Sequence, residues 1–210
     1  MQPLYEQYRP KTWDDVVGQD GAVHQIRTYA KRGLAGRAFW IAGLSGTGKT
    51  TIARLIAAEV ADEWFVEEMD ATELTAARLR EIAATMQYTA MGKGGRAFII
   101  NEAHGLRRDI IRPLLGLIEP PPPHVVVIFT TTVEGQDRLF EDQIDAGPLL
   151  SRCHQIELER RPALLIEAFA QRAQQIAQAA GLDGHAISGY RMTLKSCNCN
   201  LRKLLQGLER

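Results

Sequence analysis

The chain has 210 residues, 45% of them apolar and 24% charged, and its 25 basic side chains balance 25 acidic ones. That apolar share excludes a disordered chain, and a net charge of zero excludes a protein that coats nucleic acid by bulk charge, so any DNA contact must come from a local patch. No apolar run approaches the ~20 residues that span a bilayer, Met1–Trp13 does not read as a signal peptide, and an odd count of three cysteines suits a reducing compartment.

In chain order, Phe39–Ala42, Phe65–Met69, Ala97–Ile100, Val125–Thr130 and Gln155–Leu158 are short apolar runs bounded by Gly, Pro, Asp or charged residues, which predicts buried strands. Amphipathic stretches alternate with them. Thr50–Ala61 carries Ile52, Leu55, Ile56 and Val60 on one face, Thr75–Met86 carries Leu79, Ile82, Ala83 and Met86, and Asp109–Glu119 carries Ile110, Ile111, Leu114, Leu115 and Ile118. Alternating strand and helix predicts an α/β fold, a five-stranded parallel sheet with helices on both faces. After Leu158 the strand signal stops. Arg161-Pro162 suits a junction, because proline is well placed to begin a helix. A helix over Ala163–Ala180, a Gly181–Gly184 turn and two shorter helices are expected next, giving an α/β domain over 1–160 and a small all-helical lid over 161–210. Charge shifts at the same point, from 18 bases and 22 acids before residue 161 to 7 bases and 3 acids after it. The prolines Pro120–Pro123 read as a stiff turn between helix and strand, and Pro113 interrupts a helical run at a cost of about 3 kcal/mol.

The strongest chemical signal is Gly43-Leu44-Ser45-Gly46-Thr47-Gly48-Lys49-Thr50, which matches G-x-x-x-x-G-K-[ST] between a predicted strand and a predicted helix. Glycines let main-chain N–H groups turn inward around phosphate oxygens, and the helix N-terminus favours negative charge. Gly43, Ser45, Gly46, Thr47, Gly48, Lys49, Thr50 and Thr51 are therefore expected to hold the phosphates of ATP or ADP. Lys49 would reach the β- and γ-phosphates, and the Thr50 hydroxyl would ligate Mg²⁺.

A second site ends the strand Ala97–Ile100. There a nucleotide hydrolase of this kind places an Asp to hold the Mg²⁺ shell and a Glu to orient water. This chain has Asn101 and Glu102. An amide oxygen accepts from a metal-bound water but brings no charge, so weak Mg²⁺ affinity and slow hydrolysis are expected, with nucleotide binding kept.

Several further segments resemble the AAA+ ATPases of DNA clamp loaders, the bacterial polymerase III γ/τ-type subunits and the small subunits of replication factor C. They are Tyr8-Arg9-Pro10-Lys11-Thr12-Trp13 with Val16-Val17-Gly18-Gln19, Asp70-Ala71, Leu114–Val126 with its proline turn, Ser151-Arg152-Cys153, and Asn200-Leu201-Arg202-Lys203. The resemblance implies that Tyr8, Arg9, Pro10, Val16 and Val17 cover the adenine. It implies that Thr132, or Thr131 one register earlier, positions the attacking water or γ-phosphate. It also implies that Arg202 touches the γ-phosphate from the lid, and that Arg152 acts in trans on a neighbour's site. Partners implied are other AAA+ subunits in a homo- or hetero-oligomer (a pentamer-type ring if a collar domain follows), a sliding clamp, and primed double-stranded DNA met without sequence readout through Arg78, Arg80, Arg107 and Arg108. The location implied is cytoplasmic, or nuclear in a eukaryote, with no membrane partner. Two departures stand out. Val133–Leu150 is longer than the family's segment and made acidic by Glu141, Asp142 and Asp145, and the chain stops at Arg210, where a collar is expected to continue. Cys197-x-Cys199 lacks a second pair or a nearby histidine, so no zinc is expected. His104, completing Asn-Glu-Ala-His, reads as local packing.

Three functions remain open from sequence: an ATP-hydrolysing clamp-loader-type subunit, a nucleotide-binding subunit that hydrolyses little and donates Arg152, and an AAA+ remodeller of another nucleic-acid complex.

Overall fold

The computed structural model describes residues 2–142, 146–182 and 186–209, without the side chains of residues 138–142 and 146. In chain order the elements are α1 (Leu4–Gln7), α2 (Asp20–Ala30), β1 (Arg37–Ala42), α3 (Lys49–Val60), β2 (Val66–Asp70), α4 (Ala76–Thr85), β3 (Arg96–Asn101) and α5 (Arg108–Leu117). They continue with β4 (Val125–Thr131), α6 (Val133–Asp142), α7 (Ala146–Ser151), β5 (His154–Glu157), α8 (Pro162–Ala179), α9 (Ile187–Ser196) and α10 (Leu201–Leu208).

The predicted parallel sheet is present, with its five strands in the order β2-β3-β4-β1-β5. Side chains alternate across a strand, and both faces are covered. Phe39, Ile41, Ile99, Ile128 and Ile156 pack on one side with Ile52 and Ile56 of α3 and Ile26 of α2. Trp40, Phe98, Ile100, Val127 and Phe129 pack on the other with Leu79 of α4, Ile110 and Leu114 of α5 and Leu149 of α7. Two-sided burial explains the near-continuous apolar runs. Register sets the strand ends: Ala42 pairs with Thr131, and Asp70 with Asn101. A loop leaving the carboxyl end of β1 therefore faces the ends of β3 and β4, the place where open α/β sheets bind ligands.

Four helices were not foreseen, the single turn α1 and the longer α2, α6 and α7. In α2 only Ala22, Val23 and Ile26 are buried, among polar and charged neighbours. The long segment after Thr132 folds as α6 and α7, and Leu149 and Leu150 of α7 close the core. Its Asp145, with the side chains of Glu141 and Asp142, lies outside the described residues. Pro113 does stand inside α5. Burial of Ile110, Ile111, Leu114 and Ile118, each worth ~1.5–3 kcal/mol, outweighs the ~3 kcal/mol that an interior proline costs.

Pro162 opens α8 as expected. Of the predicted Gly181–Gly184 turn, Gly181 takes φ +68°, whereas Asp183 and Gly184, like His185 beside them, lie outside the described residues. Helices α8, α9 and α10 enclose their own core around Phe169, Leu194 and Leu204, and Leu4 of α1 belongs to it. The Leu4 N–H donates to Glu209 Oε1 at 2.8 Å, so the two ends of the chain meet on the lid. Among the described residues no helix is long and apolar enough to cross a membrane.

Candidate nucleotide site

The loop Gly43–Thr50 joins β1 to α3, and its glycines differ in what they require. Gly46 (φ +76°) and Gly48 (φ +107°) both have left-handed backbone, which side chains disfavour. A Cβ on Gly48 would meet open space, but one on Gly46 would lie 2.0 Å from Asn200 Oδ1 of the lid. Asn200 also donates from Nδ2 to Ser45 Oγ at 3.4 Å and accepts the Lys203 N–H at 3.0 Å, capping α10. One lid asparagine thus touches the phosphate loop and begins the helix that carries Arg202.

Lys49 is 7% exposed. Its Nζ donates to the carbonyls of Gly43 at 3.1 Å and Leu44 at 3.0 Å, folding the side chain over the loop. Burial pushes its ammonium below the ordinary lysine value, Glu102 pulls it back up, Arg202 lowers it and Glu134 raises it. A partly desolvated cation with nearby main-chain donors is suited to receive phosphate. Gln19, 1% exposed, holds the loop from behind. Its Nε2 donates to Thr47 O at 3.3 Å, and its Oε1 accepts the Glu159 N–H at 2.7 Å just before the lid.

The Thr50 hydroxyl lies 3.4 Å from Asn101 Oδ1, although β4 separates β3 from β1. Asn101 Oδ1 also accepts from Thr130 Oγ at 2.8 Å, and Asn101 Nδ2 donates to Glu68 Oε1 at 2.8 Å. A carboxylate only accepts, so the amide orientation is determined: its oxygen faces Thr50. Glu68 is gripped by Arg54, through Nε at 2.7 Å and Nη2 at 3.2 Å. The donors around Thr50 are neutral oxygens, hard ligands that fit Mg²⁺. Glu102 has left-handed backbone, φ 51° and ψ 48°, unusual for a residue other than glycine.

A cleft of about 920 Å³, open solvent included, lies between the sheet domain and the lid. Of the predicted binding residues, Tyr8, Arg9, Pro10, Val16 and Val17 line one wall, the stretch Ser45–Thr51 the floor, and Arg202 the lid side, with Glu102 beside them. Gly43 does not line the cleft. A Cβ there would lie 2.8 Å from the Leu158 side chain, so this glycine admits the residue that follows β5. Arg9 donates to Thr51 Oγ1 at 3.1 Å and is paired with Glu6. Arg202 lies over the Tyr5 ring, 5.3 Å from its centroid.

The remaining predicted residues lie apart. Thr132 caps α6, its Oγ1 accepting the Gly135 N–H at 3.1 Å, while Thr131 is fully buried at the end of β4. Arg152 is absent from the cleft. It pairs with Glu119 and donates to Pro148 O at 3.0 Å. Arg78 is tied to Glu67 at 2.5 Å and Glu81 at 2.8 Å. Sequence reasoning missed the lid's contribution to the wall, from Phe169, Ile176, Leu201 and Leu205, and also Tyr5 and Arg172. A signal existed for Arg172, since it is the sole basic residue between Arg161 and Arg191, and it donates to Tyr8 O at 3.4 Å.

Residues 39–158 match AAA, the ATPase family associated with various cellular activities. Over 198 residues the sequence is 29% identical to the DNA polymerase III subunit tau of Escherichia coli, covering 83% of this chain and 29% of that one. Over 125 residues it is 36% identical to the Replication factor C large subunit of Methanosarcina mazei, covering 54% of this chain and 20% of that one. Among solved structures, a Thermotoga maritima RuvB mutant superposes with a TM-score of 0.73 at 21% identity, covering 97% of this chain and 65% of that one. At such identity the likeness to RuvB is one of fold. The chain spans under a third of the tau subunit's length.

Proposed function

The chain belongs to the AAA family of ATPases and is distantly homologous to DNA polymerase III and replication factor C subunits, and from that premise we propose that it is an ATP-hydrolysing subunit of clamp-loader type. ATP binding would close the lid on the cleft, and the closed subunit would help to open a sliding clamp and seat it on primed double-stranded DNA. One observation carries the nucleotide part: the phosphate loop, the Tyr8–Pro10 strap and the lid arginine Arg202 all face one cleft.

Each group has a physical task. Lys49 leaves its two carbonyl partners for the β- and γ-phosphates. Arg202 contacts the γ-phosphate from above, so lid position depends on the nucleotide. Glu102 orients the attacking water. Thr132, or Thr131 one register earlier, would take the remaining role on the γ-phosphate side of the site; Thr132 Oγ1 accepts a helix N–H, and Thr131 is buried at the end of β4. Mg²⁺, held by Thr50 and through water by Asn101, would neutralise charge between the β- and γ-phosphates. Arg152, outside its own cleft, would complete a neighbour's site in an oligomer, and Arg78 and Arg80 of α4 with Arg107 and Arg108 at the start of α5 would follow DNA phosphates.

Asn101 favours a second reading, a subunit that binds ATP, turns over little and chiefly donates Arg152. Steady-state ATPase with and without primed DNA and a sliding clamp distinguishes the two. Stimulation by both supports the loader, tight ATP binding without turnover supports the donor subunit, and no calorimetric ATP binding at all defeats both.

A further inference from the structure

The turn that ends β3 carries one side chain for which the proposed chemistry has no use. His104 lies in the short turn Ala103–Gly105 directly after Glu102. Its Nδ1 is 3.2 Å from Thr131 Oγ1 and 3.5 Å from Glu102 Oε2. A nitrogen lone pair facing a carboxylate is repelled, and a carboxylate accepts only, so the Glu102 contact places the ring hydrogen on Nδ1. Thr131 is consistent with this, since its own hydroxyl donates to Thr132 O at 3.1 Å and leaves its lone pairs to accept. The neutral ring therefore has one self-consistent state, with Nδ1–H bonding Thr131 and facing Glu102.

Room for the ring is built by a different element. A Cβ on Gly135 of α6 would lie 2.5 Å from His104 Nδ1 and 2.8 Å from Thr132 Oγ1. Gly135 also supplies the N–H that occupies Thr132. Helix α6 thus leaves Thr131 to the imidazole and takes Thr132 for itself.

We propose that His104 is a positioning residue of the hydrolytic site, whose Nδ1–H fixes the Glu102 carboxylate and the Thr131 hydroxyl at a set separation. This role rests on the ATPase function proposed above. It ties the water-orienting carboxylate to the buried end of β4 through one donor, so that the carboxylate does not turn away when the γ-phosphate arrives.

The test uses the full chain. Nitrogen-15 spectra of the imidazole are expected to show the Nδ1–H tautomer; the Nε2–H tautomer overturns the proposal. His104→Leu removes the donor and His104→Asn keeps an N–H near the Nδ1 position. In the leucine variant kcat is expected to fall roughly 10-fold or more while KM and the calorimetric ATP affinity stay within about two-fold, and the asparagine variant is expected to recover most of kcat, on the scale of lost outer-shell partners. Unchanged kcat in a folded leucine variant, or equal losses in kcat and ATP affinity, overturns the role. Should the leucine variant melt below the assay temperature, the asparagine variant and the tautomer decide. A chain that neither binds nor hydrolyses ATP defeats the proposed function and this role together, whereas turnover that survives His104→Leu defeats this role alone.

Discussion

Asn101 donates its amide N–H to the Glu68 carboxylate at 2.8 Å, across the β3–β2 pair. Restoring the charge that Mg²⁺ sites of this kind carry, by Asn101→Asp, therefore sets two carboxylates face to face. Without nucleotide the variant is expected to lose about 1 kcal/mol, the scale of like charges on adjacent strands. MgATP should restore more stability to it than to the unsubstituted chain, because a cation relieves the repulsion, and adding Glu68→Gln should recover the nucleotide-free loss. Melting curves with and without MgATP measure all three; an unchanged nucleotide-free melting point would show that the two side chains do not face each other.

The phosphate-loop glycines should respond differently to alanine. Gly48→Ala meets open space and should cost only the ~1–2 kcal/mol of left-handed backbone. Gly46→Ala carries the same strain and also strikes Asn200, so it should displace the lid and reduce ATP affinity further. Pairing Gly46→Ala with Asn200→Gly should return part of the loss. A double-mutant cycle by calorimetry reads the coupling, and strict additivity would refute the contact.

The junction before the lid should be acid-resistant. The Arg161 side chain, aided by the Arg161 and Arg160 main-chain N–H groups, holds the Glu159 carboxyl down to about 2, against an ordinary 4.5. The folded value is the lower one, so these bonds contribute fully above about pH 4.5 and are lost as pH falls toward about 2. A carbon-13 titration of Glu159 should show the low midpoint, and Arg161→Ala should raise it toward the ordinary value. A normal midpoint in the unsubstituted chain would dismiss the cluster.

Arg152 pairs with Glu119 at a partly exposed position, where such pairs are worth ~0–1 kcal/mol. Arg152→Ala should leave the fold and the ATP affinity of the single chain unchanged. In an assembled oligomer it should lower ATP turnover by up to ~10³-fold, the lower range for an arginine that completes a neighbour's site. Equal turnover in assemblies of both forms would remove the trans role.

Pro113→Ala should stabilise the chain, because it restores an N–H for the Asp109 carbonyl inside α5. A gain of about 1–3 kcal/mol is expected from the cost of an interior proline. A lower melting temperature would mean that the ring's own packing outweighs the missing hydrogen bond.

Much of this architecture was legible because its signals are contiguous. The inner strands β1, β3 and β4 are buried on both faces, so Phe39–Ala42 and Val125–Thr130 stand out without knowledge of their neighbours, and the glycine pattern of the phosphate loop is local. The edge strands β2 and β5, by contrast, keep Glu68, Gln155 and Glu157 exposed and are not the buried strands expected. Helix α2 was obscured because Asp20, His24, Gln25 and Arg27 interrupt a narrow apolar stripe. The lid wall formed by Phe169, Ile176 and Leu205 reads from sequence as ordinary helix core, and only tertiary packing turns it toward the cleft. The Asn101–Glu68 and Gln19–Thr47 bonds join residues 33 and 28 positions apart, a distance that no local pattern encodes. For His104 the deciding fact is the proximity of α6, a helix whose polar residues carry no clear apolar stripe.

Because Leu4 is buried among the lid helices, the backbone passes between lid and sheet twice, once within residues 8–18, where Tyr8 and Val17 pack on the lid and Trp13 and Val16 on the sheet, and again at Glu159–Pro162. A body fastened at two places turns like a door on a pair of pins, about the line that joins them, and twisting or sliding is suppressed. The closure proposed above would then reduce to a single swing, with residue 46 acting as the strike plate against which the latch at 200 comes to rest.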